Sequence, residues 1–277
     1  MHAGAGIILP RVLRPARRVA ALTSILFALM EVSGCASLPA DPAARVEIER
    51  LNDPLEPLNR EVYAFNTEVR HAFEPLRAAT ASGSPLAPVW TGVHNVLVNL
   101  REPLTFANDL AQGKECAAGA SLRRFMVNTT LGIGGLFDVA RSYGVEAHDN
   151  DVGQTLGVWG VPAGPYLMLP AIGPSDVRST AGIAAEYFID PIDIGLSQAG
   201  ASAAIWPIAG LDVADRGFDA APDLDKLERT SLDGYAALRS AYRQNQEESL
   251  RDDKCPDVLR ITDPGHSASQ RTANAYR

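Results

Sequence analysis

Cys35 is the residue best placed for covalent chemistry. It closes the tetrad Val32-Ser33-Gly34-Cys35, small residues leading into a thiol. Ahead of it lie a cationic stretch (Arg11, Arg14, Arg17, Arg18) and a 12-residue apolar run from Val19 to Met30. That run is too short to span a bilayer and fits a signal peptide. The order has the form of a bacterial lipobox, in which the thiol takes a diacylglyceryl group before cleavage. The alternative is an ordinary secretory cleavage site with a chance cysteine. Each buried methylene adds about 0.8 kcal/mol of anchoring, so a multiply acylated Cys35 would hold the chain in a leaflet. Ala36 follows, not the Asp of inner-membrane retention, and the sorting rule then points to the outer membrane.

Other reactive residues lack the company that catalysis needs. The nearest approach to a G-x-S-x-G elbow, Gly200-Ala201-Ser202-Ala203-Ala204, lacks its second glycine. No phosphate loop ending in G-K-[ST] occurs. Gly132-Ile133-Gly134-Gly135 has Phe137 where a dinucleotide motif needs glycine, and no strand precedes it. It reads as a flexible break between helices. His148-Asp149-Asn150-Asp151 offers consecutive metal-type ligands but no second cluster to close a coordination sphere, so a loop capping the next element is the better reading. His71 and His94 stand singly on helices. No metal, cofactor or enzymatic activity is expected.

Cys116 and Cys255 remain after Cys35. In an exported chain such a pair is a candidate disulfide, with two free thiols as the alternative. Loss of residues 1–34 removes four Arg and one Glu, taking the formal net charge from −8 to −11. That acidity argues against nucleic acid and against electrostatic docking on anionic lipid. Membrane contact must then be apolar.

The elements that would position these groups follow a period near 3.6. Residues 36–52 are rich in Ala, Pro and Asp and read as a tether, with 35–52 as its full extent. After Pro57, the residues Leu58, Val62, Phe65, Val69 and Phe73 mark one helical face ending near Pro75. A second helix is expected from Pro88 to Arg101, a third from Pro103 to Gly113, and a fourth from Lys114 to Val127 with Leu122, Phe125 and Met126 inward. Ser175 is the expected cap of a helix through Val177, Ile183 and Phe188, interrupted at Asp190-Pro191. A last helical region is expected from Pro222, bent at Gly234, and residues 246–277 form a polar tail expected to be disordered. The class is all-α, in short helices started by Pro and stopped by Gly.

One stretch conflicts with itself. Val152–Ser175 runs 24 residues without a charge, yet nine of them are Gly or Pro. It is apolar enough for lipid and too broken for a regular spanning helix. Trp90, Trp159, Tyr166, Tyr187 and Trp206 suit either core packing or a membrane–water boundary.

Several long motifs, in order, resemble the MlaA (VacJ) family of outer-membrane lipoproteins. They are Asp53 to Arg60, Tyr63-Ala64-Phe65-Asn66, Asn99 to Pro103, Asn128 to Ala140, Gly153 to Val161, and Gly164 to Pro170. The likeness covers about residues 53–245. It implies a ring-like arrangement of short amphipathic helices in the inner leaflet of the outer membrane, with a hairpin near a central channel. It further implies retrograde phospholipid transport that maintains lipid asymmetry, association with outer-membrane porins, and delivery to a periplasmic lipid carrier of the MlaC type. On this resemblance the channel and hairpin residues are Gly153, Gly157, Trp159, Gly160, Gly164, Pro165 and Tyr166. The rival readings are a structural porin-associated lipoprotein without transport and a lipid-modifying enzyme.

Overall fold

A computed structural model describes residues 52–251, and the helical unit begins at Leu55. Cys35, the signal segment, the tether up to Leu51 and the tail from 252 lie outside the described residues. The elements are α1 (Glu56–Thr80), α2 (Ala87–Ala111), α3 (Glu115–Thr130), α4 (Val139–Ser142), α5 (Val152–Val158), β1 (Tyr166–Leu169), β2 (Gly173–Asp176), α6 (Val177–Ile189), α7 (Pro191–Gln198), a 3-10 turn (Ser202–Ala204), α8 (Ile205–Thr230) and α9 (Gly234–Arg251). The class is all-α as expected, with one small antiparallel hairpin pairing Tyr166 with Asp176 and Leu169 with Gly173.

The helices are longer than the prolines suggested. Pro75, Pro103 and Pro222 lie inside α1, α2 and α8, so α1 passes Pro75 and the expected second and third helices are one. An interior proline removes one N–H and crowds the carbonyl four residues back, a cost of about 3 kcal/mol. Tertiary ties beside each proline offset it. Glu102, next to Pro103, accepts a 2.6 Å hydrogen bond from Arg124 of α3. Across Pro75 and Pro222, Arg70 of α1 pairs with Asp225 and Glu228 of α8.

Two further boundaries move. Ser175 belongs to β2, and Asp176 caps α6 by accepting from the Ser179 N–H at 2.7 Å. The last helix begins at Gly234 and continues to Arg251, six residues into the expected tail.

Which face turns inward departs most from expectation. Leu58, Phe65 and Phe73 of α1 are exposed while Asn59 is buried. On α3, Leu122 and Met126 face outward, and Ser121, Arg124 and Asn128 are buried instead. Among the described residues, half of the buried apolar ones are alanines, and buried polar or charged residues outnumber the apolar ones. Two apolar nuclei remain: Ala120, Ala140 and Val145 under α3, and Tyr166, Met168 and Tyr235 beside Val62, Leu238 and Tyr242.

Candidate functional site

The polar interior is built from the facing sides of α2 and α3. Arg124 is 1% exposed. It donates through Nε to Glu102 Oε1 at 2.6 Å, through Nη1 to the Val145 carbonyl at 2.6 Å, and through Nη2 to Asp138 Oδ2 at 3.1 Å. Asn128 donates to Asp138 Oδ1 at 3.0 Å and accepts from the Ala140 N–H at 2.9 Å. The loop from Leu131 to Asp138 is thereby tied at its base, while Leu131, Ile133 and Phe137 stay exposed. Ile133, Gly134 and Gly135 all take positive φ, a run that breaks the helix sharply. The sequence reading of a break between helices holds.

Two turns further along α2, Asp109 gathers a second group. Asn150 donates to its Oδ1 at 2.7 Å, Ser121 to its Oδ2 at 2.8 Å, and His148 Nε2 lies 2.9 Å from Oδ2. Burial lowers the affinity of His148 for its proton, but the Asp109 hydrogen bond and the charges of Asp109, Glu102 and Asp149 outweigh it and raise the imidazole above its usual range. Burial pushes Glu102 up to about 7 against the pull of Arg124. Ser121, His148 and Asp109 have the composition of a hydrolytic triad but not its geometry. Ser121 and Asp109 both meet the same ring nitrogen, at 3.3 and 2.9 Å, whereas a triad needs them on opposite nitrogens. The group is a structural knot, and Asp151 next to it caps α5 by accepting from the Gln154 N–H at 2.7 Å, as the sequence suggested.

His94, read from sequence as lacking a partner, has one. Its Nδ1 lies 3.1 Å from both oxygens of Asp215 on α8. The sequence held no sign of this because the two residues are 121 positions apart.

The residues singled out in Val152–Tyr166 divide between two structures. Gly153 and Gly157 lie in α5, so the hairpin spans Tyr166–Asp176 and excludes them. Gly153 and Gly182 together allow α5 to touch α6: a Cβ on Gly153 would sit 2.7 Å from Ser179 Cα, and one on Gly182 2.4 Å from the Gly153 nitrogen. Beside Gly157 stand the side chains of Leu250 and Arg178. Gly160 and Gly164 take positive φ in the turns that follow. The carbonyl of Pro165 accepts from the Val177 N–H at 3.2 Å. Trp159 is 63% exposed and donates Nε1–H to the Ala111 carbonyl at 2.9 Å.

Tyr166 is buried, its ring edge-on to Tyr235 and Tyr242 at 6.1 and 5.8 Å. The sequence reading did not single out the residues that hold this hairpin, although they lie within its motifs. Asn59 and Asn66 of α1, two turns apart, act as a side-chain substitute for a neighbouring strand. Asn59 donates to the Tyr166 carbonyl at 3.1 Å and accepts from the Met168 N–H at 2.9 Å. Asn66 repeats the pattern with the Leu169 carbonyl at 2.9 Å and the Ala171 N–H at 2.8 Å. Buried backbone groups of an edge strand need such partners.

The aromatics also divide. Tyr166 packs in the core, and half-buried Trp90 rests on Phe218 at 5.1 Å. Tyr187 and Trp206, 5.4 Å apart, are exposed. Cys116 is engaged in a disulfide, and Cys255 lies outside the described residues. Among those residues no helix is long and apolar enough to cross a membrane. Along α2 and α3 the arrangement places charged and amide groups inside and bulky apolar side chains outside, the reverse of a water-facing surface.

Comparisons with known proteins agree with this reading. The family model described as MlaA lipoprotein matches residues 51–249. An uncharacterised protein of Rickettsia prowazekii is 35% identical over 209 residues, 74% of this chain and 81% of its own. The intermembrane phospholipid transport system lipoprotein MlaA of Escherichia coli is 33% identical over 219 residues, covering 77% of this chain and 82% of that protein. A solved structure described as "Structural basis for maintenance of bacterial outer membrane lipid asymmetry" matches with a TM-score of 0.57 and 32% identity, over 72% of this chain and 98% of that one. Together these place the chain in the MlaA lipoprotein family.

Proposed function

We propose that this protein is an outer-membrane lipoprotein that removes phospholipid mislocalised in the outer leaflet and passes it inward, keeping the membrane asymmetric. The observation that carries the proposal is the inverted side-chain distribution. Exposed Leu122, Met126, Leu131 and Phe137 suit acyl chains, while Arg124, Glu102, Asn128 and Asp109 lie inside. A phospholipid crossing a leaflet needs polar contacts for its headgroup and apolar surface for its tails, and no covalent step. With no helix long and apolar enough to span among the described residues, anchoring would come from acylated Cys35 and from helices lying in the periplasmic leaflet. The ring and its central amphipathic channel, the hairpin beside that channel, and the Cys116–Cys255 bridge belong to this proposal. So do association with porins and hand-over to a periplasmic carrier of the MlaC type. The names of the E. coli relative and of the solved structure support the transport role.

Deletion of the gene, followed by measurement of outer-leaflet phospholipid, tests the reading. The expected result is a rise that the full chain reverses and the Cys35→Ala variant does not. Unchanged outer-leaflet phospholipid after deletion would overturn it. Rescue by a variant that binds porin but transfers no lipid would favour a structural role.

A further inference from the structure

We propose that His94, Asp215 and Asp219 form a binding site for a first-row divalent transition-metal ion that clasps α2 to α8. The three residues each present one ligand atom, and these atoms all lie within 4.8 Å of one another. Asp215 and Asp219 are one turn apart on α8, so their carboxylates share a face. His94 reaches them from α2. Its Nδ1 is 3.1 Å from Asp215 Oδ1 and 3.5 Å from Asp219 Oδ2. A tetrahedral ion with bonds of about 2.0–2.1 Å needs ligand atoms about 3.3 Å apart. The two His94 distances bracket that value, and the exposed Asp219 carboxylate, within 4.8 Å of the Asp215 ligand oxygen, would turn toward it to close on the ion.

The chemistry of the donors fits that class of ion. One imidazole and two carboxylates leave a fourth position open and suit zinc and its neighbours better than an all-oxygen site would. Asp215 is wholly buried, and its other oxygen, Oδ2, lies 3.5 Å from Arg101 Nη2. Arg101 would therefore hold that carboxylate in place from behind, as outer partners of metal ligands do. The guanidinium does not complete the cluster, because its nearer acid is Asp212 at 3.2 Å, which Arg216 also meets at 2.9 Å. Asp219 has His94 as its cationic neighbour, and its exposed carboxylate leaves the ion a path from solvent. The site is independent of the transport reading.

The test is zinc binding to the full chain in detergent, after stripping with EDTA, followed by calorimetry and by thermal melting. One Zn2+ per chain and a raised Tm are expected. Co2+ should give an absorption spectrum of nitrogen and oxygen donors without a thiolate charge-transfer band. His94→Ala and the surface variant Asp219→Asn should each weaken binding by at least about tenfold, with circular dichroism confirming that both are folded. A chain that takes up no zinc would show His94 and Asp215 to be an ion pair only. Zinc bound equally well by folded variants would place the ion elsewhere. Either result overturns the proposal.

Discussion

Between α2 and α3 the buried side chains include Asn99, Glu102, Asp109, Ser121, Arg124 and Asn128, whereas between the hairpin and α9 they include Tyr166, Met168 and Tyr235. The outward faces differ in the opposite sense. Leu110, Leu122 and Met126 are exposed on the first pair, while Ser240, Gln244, Glu247 and Glu248 are exposed on α9. The second pair holds an aromatic cluster with its ring edges in contact, Asp176 and Arg239 buried beside it, and the polar side chains of α9 outside. The first has the distribution expected where the surroundings are apolar. Helices of one chain thus carry signatures of two solvents, as the proposed seating in one leaflet would require.

Breaking the polar knot should have the largest effect. Arg124→Leu leaves buried Glu102 and half-buried Asp138 without their cation, and removal of one partner from a buried ion pair costs about 3–5 kcal/mol. Denaturant or thermal unfolding in detergent should show that loss, with partial recovery when Glu102→Gln is added. A cost below that of an ordinary surface substitution would mean that the α2–α3 interior is not held by charge.

A smaller effect concerns Glu186, which accepts from the Val152 N–H at 2.9 Å where α6 meets α5. Burial raises its carboxyl from 4.5 to about 7. A carboxyl that binds its proton more tightly when folded makes the fold less stable as pH rises from about 4.5 to about 7, with no further loss above that. Glu186→Gln should therefore stabilise the protein at pH 8 by about 1–3 kcal/mol and flatten this part of the pH profile. An unchanged profile would assign the pH dependence to other groups, Glu102 first among them.

The smallest change in stability should come from the outward face of α3. Leu122→Asn with Met126→Asn should alter unfolding in detergent by less than about 0.5 kcal/mol, as for most surface positions, while reducing membrane retention of an unlipidated Cys35→Ala chain. Matching changes at Gln244 and Glu247 should leave retention unaltered. Equal effects from the two faces would remove the distinction drawn between them.

Much of the secondary structure was legible in the residues. Pro57 at the first turn of α1, the Asp190-Pro191 junction between α6 and α7, and the cap at Asp151 are local signals, set within a few residues by missing donors and side-chain acceptors. Reading Pro75, Pro103 and Pro222 as helix ends failed for the converse reason. A proline costs a fixed local amount, and the Glu102–Arg124 pair and the Arg70 contacts that offset it come from distant parts of the chain.

The same division covers the candidate site. Residue order alone carried the cationic, apolar and lipobox succession ending at Cys35, the family motifs, and the conflict within Val152–Ser175, because each depends only on neighbours along the chain. It also marked α1 and α3 as amphipathic. It could not say which face turns inward, because a helix of period 3.6 shows the same stripe whether its apolar side meets a core or a lipid. Tertiary structure settled that by placing Arg124 against Glu102 and Asn59 against the hairpin strand. It also brought His94 to Asp215 and separated Gly153 from the hairpin. Contacts between residues 22 to 121 positions apart leave no periodic trace in sequence, and here they determine what the interior is made of.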